Sequence, residues 1–105
     1  MELHTFSSLN AAFLPQYKSS MDQADTAVVY YNPEVIVHKR LPAISPEDVK
    51  KGFQNGKLEV FTDNQQLLAF LKEQNYRNSV LLIMTSGNFN GVDLKAMAQE
   101  LLQQE

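Results

Sequence analysis

The feature that most constrains the fold is an alternation of short apolar runs with stretches of helical spacing along the whole chain. Residues 1–6 alternate apolar with polar side chains, which is the period of a strand. Residues 26–31 and 58–61 are further strand-like runs, and residues 79–84 are the most apolar run, which predicts a central strand covered on both faces. Strands that alternate with helices predict an α/β fold with a mainly parallel sheet and helices on both faces.

The stretches between these runs carry the capping and spacing signals of helices. Ser45 followed by Pro46 and two acids is typical of a helix start. Residues 35–38 are predicted as one further extended piece, directly after Asn32 and Pro33. Four helices are predicted. The first follows Asn10, and the second starts at Ser45 and stops near Gly52 to Gly56. The third runs from a cap at Thr62 or Asp63 to Gln74, and the fourth covers residues 92–102, before a solvated Gln-rich tail at 103–105.

Composition excludes several classes of function. The 105 residues are 44% hydrophobic and 20% charged, which fits one ordinary globular domain spanning residues 1–105. A net charge of −3 without long basic runs gives a nucleic-acid backbone little to hold, so we expect no nucleic-acid partner. The absence of cysteine excludes disulfides, thiolate catalysis and Cys-type zinc sites.

The N-terminal segment raises a question of domain boundaries. No apolar stretch approaches the roughly 20 residues of a membrane span, and residues 1–4 lack the features of a signal peptide, so we expect a cytoplasmic protein without a membrane partner. The first strand pattern begins at Met1 with no linker before it. We therefore expect a domain cut from a longer chain. A native protein whose first strand starts at residue 1 is the alternative.

The familiar catalytic and cofactor motifs are missing. Residues 52–58 resemble a phosphate-binding Walker loop but are one residue short and end in leucine, so they are predicted to be a turn. A Gly-x-Gly-x-x-Gly fingerprint and a Gly-x-Ser-x-Gly elbow do not occur. Two histidines, His4 and His38, do not predict a metal site, and His4 is expected to pair with a backbone group at a strand end. We predict no catalytic residue within the chain.

The strongest local signal is the loop at residues 85–91, between the most apolar strand and the last helix. Ligands of parallel sheets gather at the carboxyl ends of strands. Free backbone N–H groups at a helix start would suit a carboxylate or phosphate. The alternative is a simple turn in which Ser86 or Asn90 caps the helix. Phe89 either plugs the edge of the core or presents its ring to a ligand or neighbouring domain.

Three segments, taken in order, carry a resemblance to a known family. They are Glu2-Leu3-His4-Thr5-Phe6-Ser7-Ser8-Leu9, Ala24-Asp25-Thr26-Ala27-Val28-Val29, and Leu81-Leu82-Ile83-Met84-Thr85-Ser86-Gly87-Asn88-Phe89-Asn90-Gly91. Together they resemble the C-terminal domain of the Mur ligases, most closely the UDP-N-acetylmuramate-peptide ligases of bacterial peptidoglycan synthesis and recycling. The resemblance implies a three-layer Rossmann-like fold, in which this domain is a lid.

The resemblance also implies a reaction and its partners. Such ligases phosphorylate a UDP-N-acetylmuramoyl carboxylate with ATP and Mg²⁺, which are bound mainly by a central ATPase domain, and an amino acid or peptide then attacks with its amine. By position, Ser86, Asn88 and Phe89 match the loop that holds this amine substrate. His4, Thr5, Ser7 and Ser8 match the loop that faces the reacting carboxyl and phosphates. The isolated domain is expected to orient substrates and exclude water, without activity of its own.

The chain departs from the family in its first loop. Many relatives carry arginine there, as in a His-Arg-Tyr-x-Arg stretch, whereas residues 1–39 contain none. Neutral hydrogen bonds from Thr5, Ser7 and Ser8 could replace the missing clamp, Lys18 could substitute, or the substrate could differ. A competing hypothesis is a free-standing α/β module that binds a partner or small ligand without catalysis. It explains the missing arginines but not a strand that begins at Met1.

Overall fold

The computed structural model describes residues 1–103, so the end of the predicted 103–105 tail lies outside the described residues. The chain forms a small α/β fold with a three-stranded parallel sheet in the order β1-β2-β3. A short 3₁₀ helix and four α-helices connect and follow the strands. The elements, in chain order, are β1 (Glu2–Leu3), the 3₁₀ helix (Leu14–Tyr17), β2 (Val28–Tyr31), α1 (Pro33–His38), α2 (Pro46–Phe53), β3 (Glu59–Phe61), α3 (Asn64–Glu73) and α4 (Leu94–Leu102).

The central strand β2 divides the core into two clusters. Glu2 of β1 lies opposite Tyr30 of β2, and Tyr30 lies opposite Phe61 of β3. Side chains of a strand alternate between the two faces of its sheet. Val29 and Tyr31 accordingly enter one cluster, with the 3₁₀ helix, α1 and α2, whereas Tyr30 enters a second, with α3 and residues 89–94.

The first cluster is the larger and more completely buried. It is formed around Val29 and Tyr31 by side chains from both ends of the sheet and from α2. The Tyr31 hydroxyl donates to the carbonyl of Ile44 at 2.9 Å, so its only polar atom is paired. The remaining buried members of this cluster are Leu3, Leu9, Leu14, Ala27, Ile36, Val49, Phe53 and Leu58.

Close backbone packing joins α2 to the 3₁₀ helix within this first cluster. A Cβ atom on Gly52 would lie 2.7 Å from Cβ of Leu14 and 2.9 Å from its carbonyl oxygen. Only glycine allows the two helices to approach so closely. The Tyr17 ring stacks on Phe53 beside this contact, with centroids 5.0 Å apart.

The predicted caps of two helices are confirmed. Ser45 and Asp48 form a reciprocal capping box at the start of α2, with Ser45 N donating to Asp48 Oδ2 at 2.9 Å and Asp48 N to Ser45 Oγ at 3.2 Å. Hydrogen bonds from the backbone N–H and then the side chain of Ser45 lower the pKa of the Asp48 carboxyl. Asp63 caps α3 by accepting from Gln65 N at 2.8 Å.

The extended piece predicted at residues 35–38 is wrong, because these residues belong to α1. Asn32 Oδ1 accepts from Glu34 N at 3.0 Å, and Pro33 occupies the first helical turn. The same Asn-Pro pair therefore ends β2 and starts a helix. Ile36 is buried while Val37 is 76% exposed, which fits a helix that turns one side toward the core.

The prediction for residues 79–84 is also wrong. This run forms no regular strand, and its side chains are largely open to solvent, with Val80 92% and Leu82 68% exposed. Its end lies beside β1, where Glu2 N donates to the carbonyl of Met84 at 2.9 Å. The buried central strand is β2, because it alone has hydrogen-bonded strands on both sides among the described residues.

The helix predicted after Asn10 is shorter than expected. Asn10 Oδ1 accepts from Ala12 N at 3.0 Å, but successive turns occupy residues 11–13, and only Leu14–Tyr17 is helical, as a 3₁₀ helix. Pro15 removes one backbone donor inside this segment. The result is a compact connection between β1 and β2, packed on α2.

Candidate functional site

Two loops that are distant in sequence meet at the carboxyl edge of the sheet. The first loop follows β1 from His4, and the second is the loop at residues 85–91. A Cβ atom on Gly87 would lie 3.0 Å from Oε1 of Glu2 and 3.1 Å from Cδ2 of His4. This close approach places the two predicted groups of site residues side by side, at the end of a parallel sheet where ligands commonly bind.

The carboxylate of Glu2 joins the loops. Its side chain is only 2% exposed. Oε1 accepts a 3.1 Å hydrogen bond from Phe89 N and a very short one from the Thr85 hydroxyl. Oε2 lies 3.9 Å from Nδ1 of His4. Buried carboxylates are stable when their oxygens are hydrogen-bonded in this way. Glu2 therefore connects the second loop, through Thr85 and Phe89, with His4.

Three backbone donors of the second loop, at Gly87, Phe89 and Gly91, have acceptors within the protein, so these three are not free for an anion. Gly87 N donates to Oγ1 of Thr85 at 2.8 Å, and Phe89 N donates to Glu2. Gly91 N donates to Oδ1 of Asn88 at 3.0 Å, and Val92 N donates to the Asn88 carbonyl at 2.8 Å. Of these acceptors, the carboxylate of Glu2 is the one that lies outside the loop.

Neither Ser86 nor Asn90 caps the last helix. Asp93 does so, because its Oδ1 accepts from Ala96 N at 3.1 Å, and α4 begins at Leu94 and not at Val92. The loop is consequently longer than the sequence indicated, and it closes on itself before the helix starts.

An unusual backbone conformation shapes the tip of this loop. Phe89 and Asn90 have φ angles of 53° and 60°, and Gly91 follows at 91°. Left-handed backbone is uncommon for a phenylalanine. Asn64, the first residue of α3, holds this conformation by donating from Nδ2 to the carbonyls of Phe89 at 3.2 Å and Asn90 at 3.1 Å. The tip is thus fixed from two sides, by Glu2 and by Asn64.

The three predicted residues of the second loop differ in accessibility. Ser86 and Asn88 are exposed. The Asn88 amide oxygen is used within the turn, so its orientation is fixed while its Nδ2 group is not used there. Phe89 is only 7% exposed and packs against Tyr30, with ring centroids 5.7 Å apart. Of the two alternatives for Phe89, the structure supports the plug at the edge of the core.

The first loop contains two kinds of residue. Thr5 and Ser8 are hydrogen-bonded to each other. Ser8 N donates to the Thr5 hydroxyl at 3.2 Å, and the Ser8 hydroxyl donates to the Thr5 carbonyl at 3.0 Å. Ser8 is buried, so its hydroxyl serves the loop itself. Ser7 is exposed and His4 is half-buried. His4 lies beside the Glu2 carboxylate, whereas a backbone partner was predicted.

Acidic groups dominate the charge near this edge. Burial raises the pKa of Tyr30, and the carboxylates of Glu2 and Asp63 raise it further. Tyr30 therefore remains a neutral phenol at neutral pH, and its surroundings carry negative charge. Such an edge favours a group that donates hydrogen bonds or carries positive charge over a phosphate.

Two observations concern metal and phosphate groups. Within residues 1–103, no group of three or more His, Asp or Glu side chains is placed to hold a metal ion. Gly52 lies inside α2, and residues 55–57 form a turn in which Lys57 N donates to Asn55 Oδ1 at 3.0 Å.

A mainly apolar cavity of about 700 Å³ lies on the second face of the sheet. Residues of the 79–84 run and of α3 line it, together with Tyr30 and Phe89. Its lining includes Met21, Leu71, Tyr76, Val80 and Leu82. A cavity of this size falls in the range that holds small organic ligands.

Sequence reasoning missed Glu2 and Asn64. Glu2 was treated as the polar member of an alternating strand, and the signal that could have identified it is an acid placed before the chemistry-bearing His4 in a predicted buried strand. Asn64 follows the Asp63 cap, where a polar side chain is ordinary. Their partners lie far away in sequence, so no local pattern reveals their roles.

Comparison of the chain with models of known protein families, with curated proteins and with solved structures found no match. Among the helices of residues 1–103, none combines the length and apolar character needed to cross a membrane.

Proposed function

We propose that this chain is the C-terminal lid domain of an ATP-dependent Mur-type amide ligase in bacterial cell-wall synthesis or recycling. Its fold would be the three-layer Rossmann-like arrangement of that family. The domain orients the amino acid or peptide whose amine joins a UDP-N-acetylmuramoyl carboxylate. ATP and Mg²⁺, held mainly by a central domain, supply the acyl phosphate, and the reaction takes place in the cytoplasm.

The observation that carries this proposal is the contact between the loop after β1 and the loop at residues 85–91. The resemblance assigned the second loop to the amine substrate and the first to the reacting carboxyl and phosphates, although about eighty positions separate them in the sequence. The proximity of Gly87 to Glu2 and His4 supports that assignment. Ser86, Asn88, His4 and Ser7 are accessible there, and together they offer neutral hydrogen-bonding groups.

The charge of the edge supports a role toward the amine. Glu2 and Asp63 surround the edge near Tyr30, and no arginine lies in residues 1–39. In this site Ser86 and Asn88 hold the amine substrate in position for attack, which is an orientation effect. Phe89 contributes through packing, and Thr5 and Ser8 by giving the first loop its shape.

The test has two stages. The reading frame that encodes this domain should also encode a Gly-Lys-Thr phosphate-binding domain upstream. The full ligase should then release ADP when supplied with ATP, Mg²⁺, a UDP-N-acetylmuramoyl substrate and an amino acid or peptide. Ser86→Ala and Asn88→Ala should each raise the KM of the amine substrate, by the loss of about 0.5–1.5 kcal/mol per neutral hydrogen bond, and leave the KM of ATP unchanged.

Gln66→Ala is the matched control, because Gln66 is an exposed amide side chain on α3. It should change neither constant. Unchanged kinetics in both loop variants of a folded ligase would reject the loop assignment, and an ATPase activity of the 105-residue chain alone, free of contaminants, would reject its role as a lid.

The cavity favours a second candidate, a free-standing α/β module that binds a small apolar ligand. Met21, Leu71 and Leu82 supply an apolar lining, and Tyr76 and Tyr30 border it. An apolar fluorescent dye that binds the chain stoichiometrically, and no longer binds Leu71→Gln, would support this candidate. Absence of dye binding would leave the ligase domain as the better account.

A further inference from the structure

We propose that Glu2 is a positioning residue whose buried carboxylate acts as a built-in anion for the loop at residues 85–91. In this role it fixes Ser86 and Asn88 for the amine substrate. The part concerning substrate rests on the proposed ligase function. The part concerning the loop stands on contacts within this chain alone. No ligand anion is needed to order the loop, since the protein supplies its own.

The contacts of Glu2 are those of an anion in a binding loop. One carboxylate oxygen accepts from a backbone N–H and a hydroxyl, both contributed by the loop. The side chain is 2% exposed, which makes it a deeply buried charge whose donors are specific. Thr85 extends the arrangement, because its Oγ1 also accepts from Gly87 N at 2.8 Å. The carboxylate, Thr85 and Gly87 are therefore linked in one hydrogen-bonded chain.

Removal of the carboxylate leaves the loop without its acceptor. Phe89 N–H is buried and would lose its partner. Phe89 also has a φ of 53°, a conformation that persists only when its surroundings enforce it. Asn64 would hold the carbonyl side of the tip alone. We expect the segment between Thr85 and Phe89, which includes both Ser86 and Asn88, to lose its fixed orientation.

The carboxylate also explains which substrate group can approach. A phosphate or carboxylate would meet a negative charge under a loop in which the N–H groups of Gly87, Phe89 and Gly91 are already bonded. An amine would form a hydrogen bond with the Ser86 hydroxyl and would be attracted by the negative charge of Glu2. Glu2 thus selects the amine end of the incoming amino acid or peptide for this edge.

The first experiment measures the loop in the 105-residue chain. In Glu2→Ala, amide hydrogen exchange at Phe89 should accelerate about 10-fold to 100-fold, the factor expected for one hydrogen bond to a charged acceptor. Added formate or acetate should slow it again in a saturable way, whereas sodium chloride at equal ionic strength should not. Unchanged exchange, or fast exchange that formate and acetate leave fast, would overturn the inference.

Two variants control for folding. Glu59→Ala removes an exposed glutamate from β3 and should leave Phe89 exchange unchanged. Thr85→Val keeps the shape of the side chain but removes the hydroxyl between Glu2 and Gly87. It should accelerate exchange at Gly87 without rescue by formate. If Glu2→Ala does not fold, Thr85→Val decides. Amide exchange at Gly87 that stays as slow in Thr85→Val as in the parent chain would count against the hydrogen-bonded chain.

The second experiment uses the full ligase. Glu2→Ala should raise the KM of the amine substrate and leave the KM of ATP unchanged, and formate should lower the raised value. If Ser86→Ala and Asn88→Ala raise this KM but Glu2→Ala does not, the positioning role fails and the proposed function stands. If none of the three changes it, the proposed function fails at this loop, while the exchange data still decide whether Glu2 orders it.

Discussion

The two faces of the sheet are built differently. On the face of Val29 and Tyr31, the 3₁₀ helix, α1 and α2 enclose a continuous cluster of fully buried side chains. On the face of Tyr30, the buried cluster contains two further side chains, Leu67 and Phe89, and a cavity lies between this cluster and residues 79–84. The first face thus contains most of the apolar burial that stabilises folded proteins.

This difference separates stability from function. The loop at residues 85–91, with its exposed Ser86, Asn88 and Asn90 side chains and its left-handed tip, belongs to the second face. Binding loops commonly lie on the less stable parts of a fold, because they must admit a ligand or move. The first face can then keep the strands in register while the second face adapts.

The largest expected effect is on the first face. Phe53→Ala removes a ring that is fully buried and stacked on Tyr17, so we expect a loss of about 3–5 kcal/mol in the free energy of unfolding. Urea denaturation followed by circular dichroism measures it. A loss below that of Phe89→Ala would break the contrast between the faces.

Phe89→Ala tests the second face with the same change of side chain. Phe89 packs on Tyr30 but borders the cavity, into which the surroundings can relax, so we expect about 3 kcal/mol, at the lower end of the range for such truncations. The same urea titration gives the value. A stable variant with its melting temperature unchanged would mean that Phe89 faces solvent.

A smaller, pH-dependent effect is expected at the capping box of α2. Hydrogen bonds from Ser45 lower the pKa of Asp48 in the folded chain, so this carboxylate stabilises the fold above its unfolded pKa. The contribution is lost as the pH falls from about 4 through the lowered folded value. Asp48→Asn should therefore reduce the difference in melting temperature between pH 6 and pH 2. An equal difference in both proteins would contradict a role for the box.

The smallest effect is expected in the exposed run. Leu82→Ser changes a side chain that is 68% exposed, so the free energy of unfolding should stay within about 0.5 kcal/mol of the parent value. Thermal unfolding measures it, with Val29→Ser, on the buried side of β2, as the contrasting variant. A large loss for Leu82→Ser would mean that residues 79–84 are buried after all.

Local signals predicted much of this fold. Ser45 with Asp48, and Asp63 before α3, have their partners within three residues, so their pattern is visible in sequence. The errors arose where partners are distant. The apolar run 79–84 has the composition of a central strand, but apolarity does not specify whether strands flank it. Residues 35–37 are β-branched, yet the preceding Asn-Pro pair determines their conformation.

The candidate site divides in the same way. The rule for parallel sheets selected the loop at residues 85–91 through a strand at 79–84 that does not form. The resemblance then gave Ser86, Asn88 and His4 with its neighbours their expected roles. Glu2 could not be recognised, because Thr85 and Phe89 reach it only after the sheet has formed. Phe89 N has its acceptor at the opposite end of the sequence, whereas Gly87 N and Gly91 N have local acceptors in Thr85 and Asn88.

The parallel register has a consequence for how the chain folds. Glu2 pairs with Tyr30 and Val28 with Glu59, so each pair of strands is separated by a complete crossover, and the sheet contains no hairpin. Helices α2 and α3 can form early from local contacts, but every ladder requires closure of a long loop first. We expect the chain to refold more slowly than a helical bundle of equal length. The loop at residues 85–91 should be among the last parts to become ordered.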